Sequence, residues 1–168
     1  MLIRVRNKER LIVNAGSFIQ HGGSAWTFDG DKWERAGVTA GSPSSILHCP
    51  IGSFLPRQRV SGVILTSLEI VTDLSKDSGT HDGSNYHTFK AALVRTDSTF
   101  TDGIASIYSF NSDLDFNGSA LNEFIGSDQD MKDNTVLYVK AWHDAVTGSP
   151  GPATLQVWGI QMRWEWWS

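Results

Sequence analysis

The sequence predicts an all-β fold: an antiparallel β-sandwich of jelly-roll type preceded by an extended N-terminal arm with β-hairpins. Three observations predict it. Short runs rich in Val, Ile and aromatic residues alternate with clusters of Gly, Pro, Asn, Asp and Ser. Sixteen Gly and five Pro in 168 residues interrupt the chain too often for long helices. The last apolar run alternates with period two, which no helix satisfies.

The first element is the arm, residues 1–44. Its opening, MLIRVRNKER, holds four bases and one acid, so the rest of the chain is strongly acidic by comparison. A first hairpin is expected from Ile3–Arg6 through Asn7-Lys8 to Leu11–Val13. A second is expected from Ala25–Phe28 through Asp29-Gly30 to Lys32–Arg35, where Asp-Gly supplies the positive φ of a tight turn. Trp26 and Trp33 flank that turn and are placed to pair across it. An isolated two-stranded ribbon is marginal in water, so the arm must rest on its own body or on another subunit. Arg4, Arg6, Lys8 and Arg10 occupy alternate positions and would line one side of an extended segment as a positive strip. These four, with Trp26 and Trp33, are the candidate partner-binding residues. The Gly, Ser and Pro of residues 37–45 read as a linker, which puts a boundary near residue 45.

The body, residues 45–168, is the expected jelly-roll sandwich and the oligomerising part. Strands are expected over Ile46–Ile51, Val60–Leu74, Thr88–Thr96, Ile104–Phe110, Thr135–His143 and Leu155–Trp166, with two shorter ones near Leu114–Phe116 and Leu121–Ile125. Turn signals separate them: Pro56, SKDSGTHDGSN, TDSTFTDG, FNGS and TGSPGP. The second run would extend close to ~50 Å unbroken, so a bulge or bend is expected near Thr66-Ser67. In the last run Trp158, Ile160, Met162, Trp164 and Trp166 share one parity, and Gly159, Gln161, Arg163 and Glu165 the other. That apolar face, with Trp142 of the preceding strand, is assigned to the core or a subunit interface. The competing reading is a coplanar aromatic platform for sugar rings, but Ile160 and Met162 among the tryptophans favour burial.

Fourteen Lys+Arg against 18 Asp+Glu give a net charge of −4, which argues against a nucleic-acid partner. No run reaches the ~20 apolar residues of a membrane-spanning helix, and no apolar stretch of signal-peptide type follows the basic start. The single cysteine, Cys49, forms no intrachain disulfide and, within ILHCPI, reads as a buried small hydrophobe.

No motif points to catalysis. Between Asp73 and Asp133 eleven acids meet four bases. Asp113-Leu114-Asp115 and Asp128-Gln129-Asp130 have the alternation of calcium ligands but lack the following Gly and distal Glu, so they read as solvated loop acids. His48 and Cys49 would point to opposite faces of a strand, and His81-Asp82-Gly83 reads as a turn. Nucleotide-binding glycine loops and a G-x-S-x-G elbow do not occur. The expectation is a protein without enzyme activity, cofactor or metal.

The layout resembles small structural proteins of tailed-bacteriophage virions. The resemblance is carried by the basic start, the F-D-G-x-x-W hairpin (Phe28, Asp29, Gly30, Trp33) and a sandwich ending in aromatics. ILHCPIGSFLPRQRVSGVILTSLEIVTDL looks like the opening strands of trimeric phage jelly rolls, and TVLYVKAW and GIQMRWEW like their closing strands. It implies a virion component assembled in the host cytoplasm, a homotrimer bound to the major capsid protein or another virion protein. A head decoration or cement protein is the first expectation. A receptor-binding head or tail fibre domain recognising glycan is the alternative, and a carbohydrate-binding module the third.

Overall fold

The computed structural model describes residues 6–40, 44–51, 61–96, 102–113, 116–123, 129–131 and 136–167. Along them run β1 (Arg6–Asn14), β2 (Ile19–His21), β3 (Thr27–Phe28), β4 (Trp33–Val38), β5 (Ile46–Pro50) and β6 (Ser61–Lys76). These are followed by β7 (Tyr86–Thr96), β8 (Asp102–Asn111), β9 (Phe116–Glu123), β10 (Gln129–Met131), β11 (Val136–Thr147) and β12 (Ala153–Trp167). A single 3-10 turn, Ala15–Ser17, links β1 to β2.

The strands form two antiparallel sheets that enclose one core, an all-β sandwich. In the first sheet the long strands β6 and β12 pair along almost their whole length. On the outer side of β12, β4 pairs with its first half and β1 with its second, and β3 extends the sheet beyond β4. On the outer side of β6, β9 and β10 are arranged likewise. The second sheet has the order β2-β5-β11-β7-β8. Alternation fills the space between them. Leu47 and Cys49 of β5, Phe89, Ala91 and Leu93 of β7, and Leu137, Val139 and Ala141 of β11 face Leu68, Ile70 and Leu74 of β6 and Leu155, Val157, Ile160, Met162 and Trp164 of β12.

Two expectations for the N-terminal segment are corrected. Residues 6–14 do not turn back at Asn7-Lys8; they form one strand, with Leu11 opposite Met162 and Val13 opposite Ile160. Asn tolerates positive φ but Lys in the second turn position does not, whereas pairing with β12 places Val13 in the core and Leu11 against it. The division at residue 45 also separates no packing unit. β1 and β4 belong to the first sheet, β2 pairs with β5 in the second, and Val13, Phe18, Trp26 and Val38 are core residues. The second hairpin does form. Phe28 pairs with Trp33, Gly30 has φ 68°, and the Asp29 amide donates to the Lys32 carbonyl at 2.9 Å.

The bulge expected at Thr66-Ser67 is present: Ser67 pairs with Arg163 and Leu65 with Trp164, leaving Thr66 extra. The FNGS segment, read as a turn, instead runs inside β9, so the two short strands expected there are one. Asp128, Leu114 and Asp115 lie outside the described residues. No helix among the described residues is long and apolar enough to cross a membrane.

Candidate functional site

The outer face of the first sheet holds the side chains best placed to meet a ligand, and a second bulge makes it so. Val157 pairs with Thr72 and Gly159 with Val71, so Trp158 is the extra residue. Inward positions therefore run 153, 155, 157 before the bulge and 160, 162, 164 after it, all buried. Trp158 is corrected accordingly: it does not share the face of Ile160, Met162 and Trp164, but stands on the outer surface at 37% exposure. Gly159 permits this, because a Cβ there would lie 2.3 Å from the Val13 carbonyl oxygen of β1.

Around Trp158 the outer face is polar and cross-linked. The Gln156 amide donates to Glu34 at 2.7 Å, and the Lys32 ammonium lies 5.1 Å from the Trp158 ring centroid. Further along β12, Gln161 donates to Glu69 at 2.6 Å and accepts from Arg10. Glu165 accepts from Arg6 and from Lys8, the latter at 3.2 Å. Its desolvation would raise the carboxyl pKa, but hydrogen bonds from Arg6 and Lys8 outweigh this and hold it below the usual range. A recess of about 510 Å³, lined in part by Arg10, Ser67 and Arg163, opens beside the Thr66 bulge. The arrangement offers a flat apolar ring beside the half-buried Gln156–Glu34 pair, with the Gln161–Glu69 pair further along buried.

The remaining expected site residues are dispersed. Arg4 lies outside the described residues. Arg6, Lys8 and Arg10 share the outer side of β1 as a strip, but they are engaged by Glu165 and Gln161 of the same chain. Trp26 is buried, its indole N–H donating to the Ser45 carbonyl at 3.2 Å, so it supports the core and is not available to a partner. Trp33 is half-buried, bonded to the Ala15 carbonyl at 2.9 Å and packed against Phe28 with ring centroids 5.2 Å apart. Trp166 packs at the core margin. Trp142 is not a core residue: it alternates with buried Ala141 and His143, and its N–H bonds Asp144 at 3.0 Å.

Cys49 is buried, and burial pushes its thiol pKa up to about 12. Asp82 caps its own turn, accepting from the Ser84 amide and the Asn85 side chain, which hold its carboxyl pKa down. Among the described residues no three His, Cys, Asp or Glu side chains gather as a metal site. Sequence parity missed the polar site because Trp158 looked continuous with the buried series. The adjoining Gly159 was the available signal, since a glycine inside a strand marks a bulge or close backbone approach.

The chain is a two-sheet β-sandwich whose first sheet carries polar side chains and Trp158 on its outer face. No protein-family model matches the sequence, and no curated protein matches it. Fourteen chains of solved structures do. One holds the CBM22-1-GH10 modules of the N-terminal endo-1,4-β-D-xylanase 10B of Clostridium thermocellum complexed with xylohexaose. Its TM-score is 0.43 and its identity 13%, covering 96% of this chain and 28% of that one. Another is xylanase 10C of Cellvibrio japonicus in complex with xylopentaose, at TM-score 0.34 and 10% identity over 90% of this chain and 28% of that one. The chain thus spans 28% of the length of either, and likenesses of this size carry no argument about the site.

Proposed function

We propose that this chain is a non-catalytic carbohydrate-binding module whose ligand lies across the outer face of the first sheet at Trp158. The carrying observation is that the bulge turns this indole outward beside the half-buried Gln156–Glu34 pair, while the Gln161–Glu69 pair further along β12 is buried. A sugar ring presents an apolar C–H face and a rim of hydroxyls. The indole covers the first, while the Glu34 carboxylate accepts from the second and the Gln156 amide and Arg10 donate to it. Lys32 gives way at the cost of its cation–π contact with Trp158 and its ion pair with Glu34 at 3.9 Å. Calorimetric titration with neutral gluco-, xylo- and manno-oligosaccharides tests the proposal. Binding with Kd between about 10 μM and 1 mM is expected for at least one of them. Trp158→Ala is expected to abolish it with unchanged circular dichroism. Absence of binding across the panel, or full binding by the variant, overturns the reading.

A structural role in a phage particle, as a homotrimer held to the capsid or another virion protein, is the second reading. Ile12 of β1 and Ile19 of β2, at 64% and 56% exposure, are the aliphatic side chains that a protein partner would cover. Sedimentation equilibrium separates the cases: a trimer is expected from this second reading, and a monomer opposes it.

A further inference from the structure

Two arginines face each other on the outer side of the first sheet. Arg10 of β1 stands directly opposite Arg163 of β12, and Ser67 of β6 is the next residue in that row. Like charges placed directly across a ladder repel, so the pair costs stability unless a negative group lies between them. Among the described residues no acid supplies one. Arg10 donates through Nη2 to the neutral amide oxygen of Gln161, and the Arg163 guanidinium makes no hydrogen bond or ion pair among the described residues. Both residues are exposed, so a ligand in solvent can reach them.

The two arginines line a common recess, the one of about 510 Å³ beside the Thr66 bulge, and Lys8 and Ser67 share its wall. Its acids are Glu9 and Glu165. Glu165 is already engaged, by Arg6 and by Lys8 at 3.2 Å. Glu9 pairs with Trp164, one position from Arg10 and therefore on the other side of the strand. The charge left uncompensated is that of the two guanidinium groups, on a chain whose net charge is −4. A local positive field on an acidic protein selects anions for this one place.

We propose that this recess seats a tetrahedral oxyanion, the sulfate or phosphate ester of an acidic glycan, bridged between Arg163 and Arg10. Two guanidinium forks on facing strands suit a ligand with acceptors on more than one side. A tetrahedral ester presents three oxygens to them, whereas a carboxylate presents two in one plane. The recess is large enough for the ester and part of the sugar that carries it. The glycan part rests on the carbohydrate reading above. Trp158 and Arg163 both lie on the outer side of β12, five positions or about 16 Å apart, within the span of a short oligosaccharide.

The test uses the full chain, with sodium sulfate and sodium phosphate as probes and sodium acetate and sodium chloride at matched ionic strength as controls. The Arg163 and Arg10 Nε–H resonances are expected to shift saturably with sulfate or phosphate, at least tenfold more tightly than with acetate, and not with chloride. The tighter of the two probes names the ester. Arg163→Gln relieves the repulsion and keeps a polar outward side chain, so it is expected to fold, with an unchanged or higher Tm, and to lose the Arg10 response. Cellohexaose carrying that ester is expected to bind at least tenfold more tightly than cellohexaose itself, an advantage that Arg163→Gln removes. Inorganic ions probe the recess without a sugar, and neutral oligosaccharides probe Trp158 without an ester, so either reading can fail alone. Resonances that ignore sulfate and phosphate, or follow acetate or chloride equally, overturn the proposal, as does an Arg163→Gln variant that keeps the response. A modified cellohexaose that binds no better than the neutral one overturns the assignment to a glycan.

Discussion

The ring nitrogens of two buried histidines set how the protein responds to acid. His87 Nε2 donates to the Gly151 carbonyl at 2.9 Å, leaving Nδ1 to accept from His143 Nε2 at 3.3 Å. His143 Nδ1 has no hydrogen-bond partner; the chain of bonds needs a neutral His87, whose Nδ1 must accept, and it is burial that disfavours a proton on His143. Burial lowers the His143 pKa to about 4, helped by the charge of Arg35 and by His87, while the Ala145 carbonyl and Asp144 oppose it. Burial also lowers His87, with His81 assisting and Gly151 and Asp77 opposing. The unfolded chain therefore takes up protons that the folded one refuses between pH 6.5 and about 4. Stability is expected to be whole above pH 7, to fall as pH drops through that window, and to level off below it. The loss from His143 alone is on the order of 3 kcal/mol. Urea titrations at pH 7.5, 5.5 and 4 measure it, and His143→Gln should flatten the slope. Sequence reading left these two histidines unassigned, because their partnership depends on β7 and β11 being neighbours. Trp158 marks the opposite outcome at the same scale. Its exposure predicts that Trp158→Ala costs less than about 1 kcal/mol, while Met162→Ala, on the buried side of the same strand, costs about 2–5 kcal/mol.

At the scale of elements, β12 decides the molecule. It is central, its neighbours on either side are β6 and the collinear pair β1 and β4, and its two halves bury opposite parities. The period-two pattern from Ile160 to Trp166 was legible because each inward residue is large and apolar and each outward one polar. The phase change at Trp158 was not, since a bulge moves the register without altering the alternation on either side. Gly159→Ala tests that joint. Its Cβ would collide with the Val13 carbonyl, so β1 must detach or the bulge must move. We expect a loss of more than about 1 kcal/mol and faster amide exchange at Leu11 and Val13, with the β11 amides less affected. Unchanged exchange at those two residues would mean the bulge absorbs a side chain without strain.

For the whole molecule, the sandwich was readable from composition and turn spacing, and its assembly from two ends of the chain was not. Charge and linker composition made residues 1–44 look separable, since a basic start followed by Gly, Ser and Pro has the local signature of an arm. Pairing between Arg6 and Trp167 is a contact across nearly the full sequence, which no local pattern encodes. Removing residues 1–44 is consequently expected to unfold the remainder, because it strips Val13, Phe18, Trp26 and Val38 from the core and bares one edge of β12. Circular dichroism and proteolysis of the 45–168 fragment check this; a folded, protease-resistant fragment would restore the two-part division.

The central position of β12 also dictates when the protein can fold during synthesis. β1, β4 and β6 all await a neighbour that leaves the ribosome after them, and β5 and β7 likewise await β11. Translation at about 5–20 residues per second leaves β1 without its partner, and β4, β5, β6 and β7 paired on one side only, for seconds, with apolar faces uncovered. Closure then waits for β11 and β12, the central strands of the two separate sheets, to clear the exit tunnel.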